Sequence, residues 1–380
     1  MRVLTIMSIV SIFYGCVSIG DENERLSQVG FEQEAIFISG QDGYYTYRIP
    51  AIVVSNQGTI LAFCEGRKTS RSDHGDIDLL LKRSTDNGNT WTPQQVIYEE
   101  GRTAKITIGN PAPVVDRDTG IIWLAFCRNN SDVFVTHSTD DGLTWANPRN
   151  ITESVKNSDW DWYATGPVNG IQMQSGPYKG RLVIPCDHNV RGRDDWQKKG
   201  RSHAIYSDDH GKMWKTGEAT DWSTNECTVV ELVDGSLYLN MRSYKGNHCR
   251  QIVISTDGGH TWGTATEDTT LVEPVCQASA VRYTTKDKYL KNRILFSNPA
   301  SEKRIKMTVR ISYDEGNTWP VAKEINSGPS AYSNLCILPD GTIACLYERG
   351  EENPYETITF ARMSLEWVTD GRDRLKRRRR

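Results

Sequence analysis

Beyond its first twenty residues the chain has no apolar run of the roughly 20 residues that a spanning helix needs, so no other segment is read as crossing a bilayer. Charge of one sign is equally scarce. Lys and Arg number 45 against 48 Asp and Glu, a net −3, which argues against a nucleic-acid binder. A disulfide framework is also missing, although there are nine cysteines. Cys64, Cys127, Cys186 and Cys345 sit inside apolar runs at equivalent points of a repeat, which puts them on different sheets and makes them buried free thiols. No metal site and no cofactor is expected.

The two ends stand apart from the rest. Residues 1–20 carry Arg2, an apolar run from Val3 to Tyr14 and then small residues, the pattern of a secretory signal peptide. Gly15-Cys16 loosely resembles a bacterial lipoprotein processing site, so ordinary cleavage and a lipid anchor at Cys16 both stand, and a secreted or periplasmic location is expected. Residues 369–380 end in Arg372-Asp-Arg-Leu-Lys-Arg-Arg-Arg-Arg380 and are expected to be a disordered, solvated tail, with a weak attraction to anionic surfaces as the alternative.

Between them lies a repeat. Gly328-Pro-Ser-Ala-Tyr-Ser333 leads through Leu338 into a Pro-Asp-Gly turn, and a second run, Thr342 to Tyr347, leaves it: a β-hairpin. The second half of that layout recurs at residues 58–65, 120–128, 180–187, 235–242 and 292–298. Six copies predict an all-β, six-bladed β-propeller over residues 25–368, with the segment Ala35 to Ile38 completing the last blade. An independent repeat agrees with the count. Ser-x-Asp-x-Gly-x-Thr-Trp occurs at 84–91, 138–145, 255–262 and 312–319, and at 207–214 with Met213 replacing Thr; Ser364-Leu-Glu-Trp367 reads as a decayed sixth copy. The Asp bonds to nearby backbone N–H groups and the Gly supplies the turn, so these boxes are structural staples.

The functional signal lies at two other phases of the repeat. Ahead of each repeat's Gly stand Arg48, Asn110, Asn169, Glu226, Gln277 and Tyr332. After each second run stand Arg67, Arg128, the pair Asp187 and His188, Arg242 and Glu348. A propeller brings such positions to one end of its channel, where a ring of polar groups implies a ligand. Arg48, Arg242 and Arg304 come from different blades, and clustering them is costly unless an anion joins them; guanidinium forks fit a carboxylate. Glu348 is placed to neutralise Arg48. Tyr332 is a poor nucleophile at a normal pKa near 10 and needs a base, for which Glu226 is the candidate.

Tyr47-Arg-Ile-Pro50, the five boxes, Asn225-Glu-Cys227 and Gly328-Pro-Ser-Ala-Tyr-Ser333 together resemble the exo-α-sialidases (neuraminidases) of the secreted bacterial kind, over nearly the whole chain after the leader. The resemblance implies that Arg48, Arg242 and Arg304 hold a sialic acid carboxylate, that Tyr332 and Glu226 are nucleophile and proton partner, and that Asp73 in Arg71-Ser-Asp-His-Gly75 is the acid/base. It implies that Glu348 steadies Arg48, Arg67 is a further pocket arginine, and Asn110, Gln277, Asp187 and His188 line the sugar pocket. Arg310 lies near Arg304 but fits better as a strand residue. Residues 160–165 supply either apolar surface near the N-acetyl group or core packing. The implied reaction is retaining hydrolysis of terminal sialic acids from glycoproteins, glycolipids or oligosaccharides, the tyrosine-nucleophile exception among glycosidases. Two alternatives remain: a trans-sialidase, and a non-catalytic carbohydrate-binding propeller.

Overall fold

The computed structural model describes residues 30–193, 195 and 200–378. The expected signal peptide and Cys16 lie outside the described residues. Six antiparallel sheets stand around an axis, each running from an inner strand to an outer one. Blade one, for example, orders Thr46–Val54, Ile60–Arg67, Ile77–Ser84 and Gln95–Tyr98. Its inner strand is buried at every residue, because neighbouring blades cover both faces; an alternating pattern therefore gives way to a continuous apolar run. The space between blades is the core. Ile52, Ile60, Ala62 and Leu80 of blade one pack against Cys336, Leu346 and Phe360 of blade six.

One long strand, Val321–Ile337, serves two blades: its first part pairs with Ile305–Ser312 as the outer edge of blade five, its second with Ile343–Arg349 as the inner strand of blade six. The ring closes where Phe31–Ile38 pairs with Thr357–Met363, from Phe31 opposite Met363 to Ile38 opposite Thr357, so the closing strand starts four residues before the expected Ala35. The eight described cysteines are buried and unbridged.

The boxes sit at the end of each blade opposite the polar ring. In blade one Ser84 is paired with Ile60, whereas Arg67 at the far end is paired with Ile77. Within the box, the Ser84 hydroxyl accepts the Gly88 N–H at 2.8 Å and donates to Asp86 at 2.8 Å, and Asp86 accepts from the Thr90 N–H and hydroxyl. The glycine presses on the preceding blade. A Cβ on Gly88 would lie 2.3 Å from the Phe360 ring, and its φ of +80° suits glycine. In blade six the box has become a helical turn: Ser364 caps Leu365–Val368 by accepting the Trp367 N–H, and Trp367 stacks on Phe31 at 4.5 Å.

The basic tail corrects the sequence reading. As far as Arg378 it is laid onto blade five and is not a free tail. Asp373, the one acid in the run, binds buried Arg293 with both oxygens (2.8 and 2.9 Å) and also meets Lys291; Leu375 is buried, and Arg377 bridges to Tyr289. A buried guanidinium needs a carboxylate, and that need outweighs the tail's self-repulsion.

Candidate active site

The inner strands break their pairing at the end opposite the boxes. Register shifts fall between Arg48 and Ala51, Gly109 and Ala112, Thr224 and Cys227, and Ser330 and Ser333. Bulges re-aim side chains, and these four carry Arg48, Asn110, Glu226 and Tyr332 at or within the break. Two residues in the breaks, Ile49 and Asn110, take φ near +60° (60° and 57°).

Tyr332 is the centre. Its hydroxyl donates to Glu226 Oε1 at 2.5 Å, and Arg242 Nη1 donates to Glu226 Oε2 at 2.6 Å and to the Tyr332 oxygen at 3.2 Å. Burial pushes the phenol well above its usual pKa and the Glu226 carboxylate adds to this, while Arg242 and Arg304 pull the other way. Arg48 and Arg304 flank the same ring, with guanidinium carbons 5.2 and 5.6 Å from its centroid. The three arginines thus meet around one phenol. Arg310 sits inside blade five, opposite Phe296 and Ala322.

Glu348 is wholly buried and ties the group together. It accepts from Arg48 Nε at 2.7 Å, from the Ile49 N–H at 2.9 Å and from the Tyr332 N–H at 3.1 Å. Arg304 instead donates to the Tyr355 hydroxyl at 2.6 Å, and the Tyr355 ring lies 4.1 Å from the Arg48 guanidinium carbon.

Asp73 stands at the mouth, its side chain 62% exposed, with Oδ1 2.8 Å from Arg67 Nη2. Burial pushes its carboxyl up, but Arg67 and Arg48 outweigh that and hold it below the usual range. Arg67 is itself clamped by buried Glu65 at 2.7 and 2.9 Å and donates to the Arg71 carbonyl at 2.6 Å. Asn110 gives its N–H to Glu65 and its amide to Asn130, which holds the Asp73 carbonyl at 3.0 Å. Asn110 therefore braces the loop that carries Asp73.

Three expected pocket residues are placed elsewhere. His188 is wholly buried inside blade three, stacked on Trp160 at 3.4 Å and 3.0 Å from the His203 ring nitrogen. Successive strand side chains alternate faces, so Asp187 and His188 cannot share one. Asp187 is also wholly buried, accepting from Asn225 at 2.6 Å; burial first, then Glu226, raises its carboxyl well above the usual range. It backs Glu226. Gln277 has no exposed surface either: its amide bonds the Pro167 and Ser333 carbonyls and the Ser333 N–H, bracing the strand beside Tyr332. In the 160–165 segment, Trp160 packs in the core and half-buried Trp162 meets His74 edge-on at 5.8 Å. Arg128 turns to the rim and pairs with Glu100 at 2.6 Å.

Two residues were missed. Glu65 ends the second run of the first repeat, two residues before Arg67 and as far from its Gly58 as Arg242 and Glu348 are from Gly235 and Gly341, so the repeat phase itself could have found it. Tyr355 lies in the irregular loop after Arg349, where no repeat phase applies.

This arrangement of arginines, buried tyrosine and glutamate crowns a six-bladed propeller whose residues 58–345 match the family model described as a BNR repeat-like domain. The chain is 35% identical over 362 residues to a sialidase of Micromonospora viridifaciens, covering 89% of this chain and 54% of that relative. It is 32% identical over 378 residues to an exo-alpha-sialidase of Aspergillus fumigatus, covering 87% of this chain and 86% of the relative. Among solved structures, Hadza microbial sialidase Hz136 superposes with a TM-score of 0.79 at 30% identity, over 88% of this chain and 68% of that one. The chain belongs to the sialidase family. It spans about half the length of the Micromonospora relative, 54%.

Proposed function

We propose that this chain is a retaining exo-α-sialidase that releases terminal sialic acid from glycoproteins, glycolipids or oligosaccharides. The observation that carries the reading is the Tyr332 hydroxyl bonded to Glu226 at 2.5 Å with three arginines around the ring. Arg48, Arg242 and Arg304 bind the substrate carboxylate in this reading, displacing the contact between Arg304 and Tyr355. Sialic acid bears that carboxylate on its anomeric carbon, so an anionic Asp or Glu nucleophile would be repelled. A phenol kept neutral by burial avoids the repulsion, and it passes its proton to Glu226 only as its oxygen attacks.

In the first step Asp73 protonates the glycosidic oxygen, the bond to the aglycone breaks, and Tyr332 forms a bond to the anomeric carbon. In the second, ionised Asp73 takes a proton from water, which displaces Tyr332 and leaves the sugar with retained configuration; the phenol recovers its proton from Glu226. The test is hydrolysis of a fluorogenic α-sialoside with the first-formed anomer followed by NMR. An α anomer is expected; a β anomer, or no release from any sialoside, rejects the proposal.

A further inference from the structure

A second charged surface lies on the box side, away from the pocket, and the proposed chemistry makes no use of it. It is built from the turn between the first two strands of blade five, residues 285–292, and from the docked tail, residues 372–378. With Arg293, these segments hold nine Lys and Arg against two Asp, in a chain whose overall charge is −3. Arg293 and Lys291 are paired to Asp373, and Arg372 lies 3.7 Å from Asp370. The other six, Lys286, Lys288, Arg374, Lys376, Arg377 and Arg378, are exposed, and no ion pair holds any of them among the described residues.

These cations are held in place. The Leu290 N–H donates to the Lys376 carbonyl at 3.2 Å, the Arg378 N–H donates to the Lys288 carbonyl at 3.0 Å, and Asp373 and Leu375 root the tail in blade five. Like charges are thus fixed side by side on a rigid sheet, an arrangement that self-repulsion opposes and an external polyanion relieves. Among them Leu290 is 55% exposed, an apolar side chain ringed by ammonium and guanidinium groups. Beside the patch opens a cavity of about 950 Å³ with a mixed lining that includes Lys286, Lys288, Asp287 and Glu231 as well as Val54, Val115 and Ile337.

We infer that this face docks on an anionic lipid bilayer. Cations in such a cluster gather acidic headgroups, and an apolar side chain among them reaches the acyl boundary. A sulfated or carboxylated glycan would use the cations but not Leu290. The orientation has a geometric result: a chain lying on its box side turns the Tyr332 mouth to the medium.

The test is flotation of the full chain with phosphatidylcholine vesicles carrying either none or about a third phosphatidylglycerol, at low salt and at roughly 0.5 M NaCl. Binding to the anionic vesicles alone, abolished by salt, is expected. The variant Lys376→Gln/Arg377→Gln/Arg378→Gln should lose at least tenfold in apparent affinity, and Leu290→Ser a few fold. All four side chains are exposed, so both variants should melt with the parent, and a circular dichroism melt checks this. Equal binding to neutral vesicles, no binding, or variants that bind like the parent would overturn the inference. Retention on heparin without vesicle binding would overturn it too, assigning the face to a glycan.

Discussion

The two ends of the same six sheets use polar residues in opposite ways. At the box end the Ser hydroxyl and Asp carboxylate of each box find partners within its own eight residues, as when Asp257 takes the N–H and hydroxyl of Thr261. At the pocket end two of the central pairs join different blades: Arg48 and Glu348 are 300 positions apart, Glu226 and Tyr332 106. A device that closes on itself is copied around the ring and supports the fold. One that needs a unique partner on another blade occurs once and marks the site.

The comparison is broken most directly at Tyr332. Tyr332→Phe keeps the ring and removes the attacking oxygen, so kcat should fall by at least about a thousandfold on aryl and natural sialosides alike while the melting temperature holds. A nearly active variant would exclude the covalent route. Asp73→Ala should cost roughly a hundredfold or more on a sialyl-galactoside but only about tenfold on an aryl sialoside, whose leaving group needs little protonation. Equal losses would exclude Asp73 as the acid. The pH profile carries the same signature. Because Arg67 and Arg48 hold the Asp73 carboxyl low against the effect of burial, its protonated fraction falls as pH rises, so kcat/KM on natural substrates should decline from the acid side, and Asp73→Ala should flatten that limb.

Smaller effects sharpen the contrast through stability. Asp373→Ala strands buried Arg293 and should destabilise by about 3 kcal/mol in denaturant melts, with kcat/KM on an aryl sialoside little changed. At the box end Asp257→Ala should cost about 1 kcal/mol and leave activity within about twofold. Hydrogen bonds from Thr90 and Thr144 hold Asp86 and Asp140 down at about 2. Depressed carboxylates stabilise above their unfolded pKa and lose that contribution as pH falls, so Asp86→Asn should flatten the drop in melting temperature between about pH 4 and 2.

The fold was legible because a propeller writes its turns and boxes into every repeat. The phases that located Arg48, Arg242, Glu226 and Tyr332 were legible for the same reason. They failed where phase fixes only the backbone. His188 follows Asp187 in sequence but faces the blade interior, and Gln277 holds the right position with its amide spent on Ser333 and Pro167. Asp73 and Tyr355 sit on loops whose lengths differ between blades, so periodicity carries no information there; a resemblance reached the first and nothing reached the second. The tail was misread because a run of like charge masks its one acid, and the partner of Asp373 is 80 residues away in blade five.

The ring closes where the strand Phe31–Ile38 completes blade six, and the buried ion pair between Arg48 and Glu348 lies across that same junction between first and last blade. The pocket is therefore finished only when the earliest and latest parts of the fold meet, a contact of very high sequence separation and slow to form. A ligand whose carboxylate spans Arg48, Arg242 and Arg304 binds the closed ring and not the opened one. It acts as a clasp on the joint, and a tight sialic acid analogue should slow unfolding in proportion to how far opening must first part those arginines.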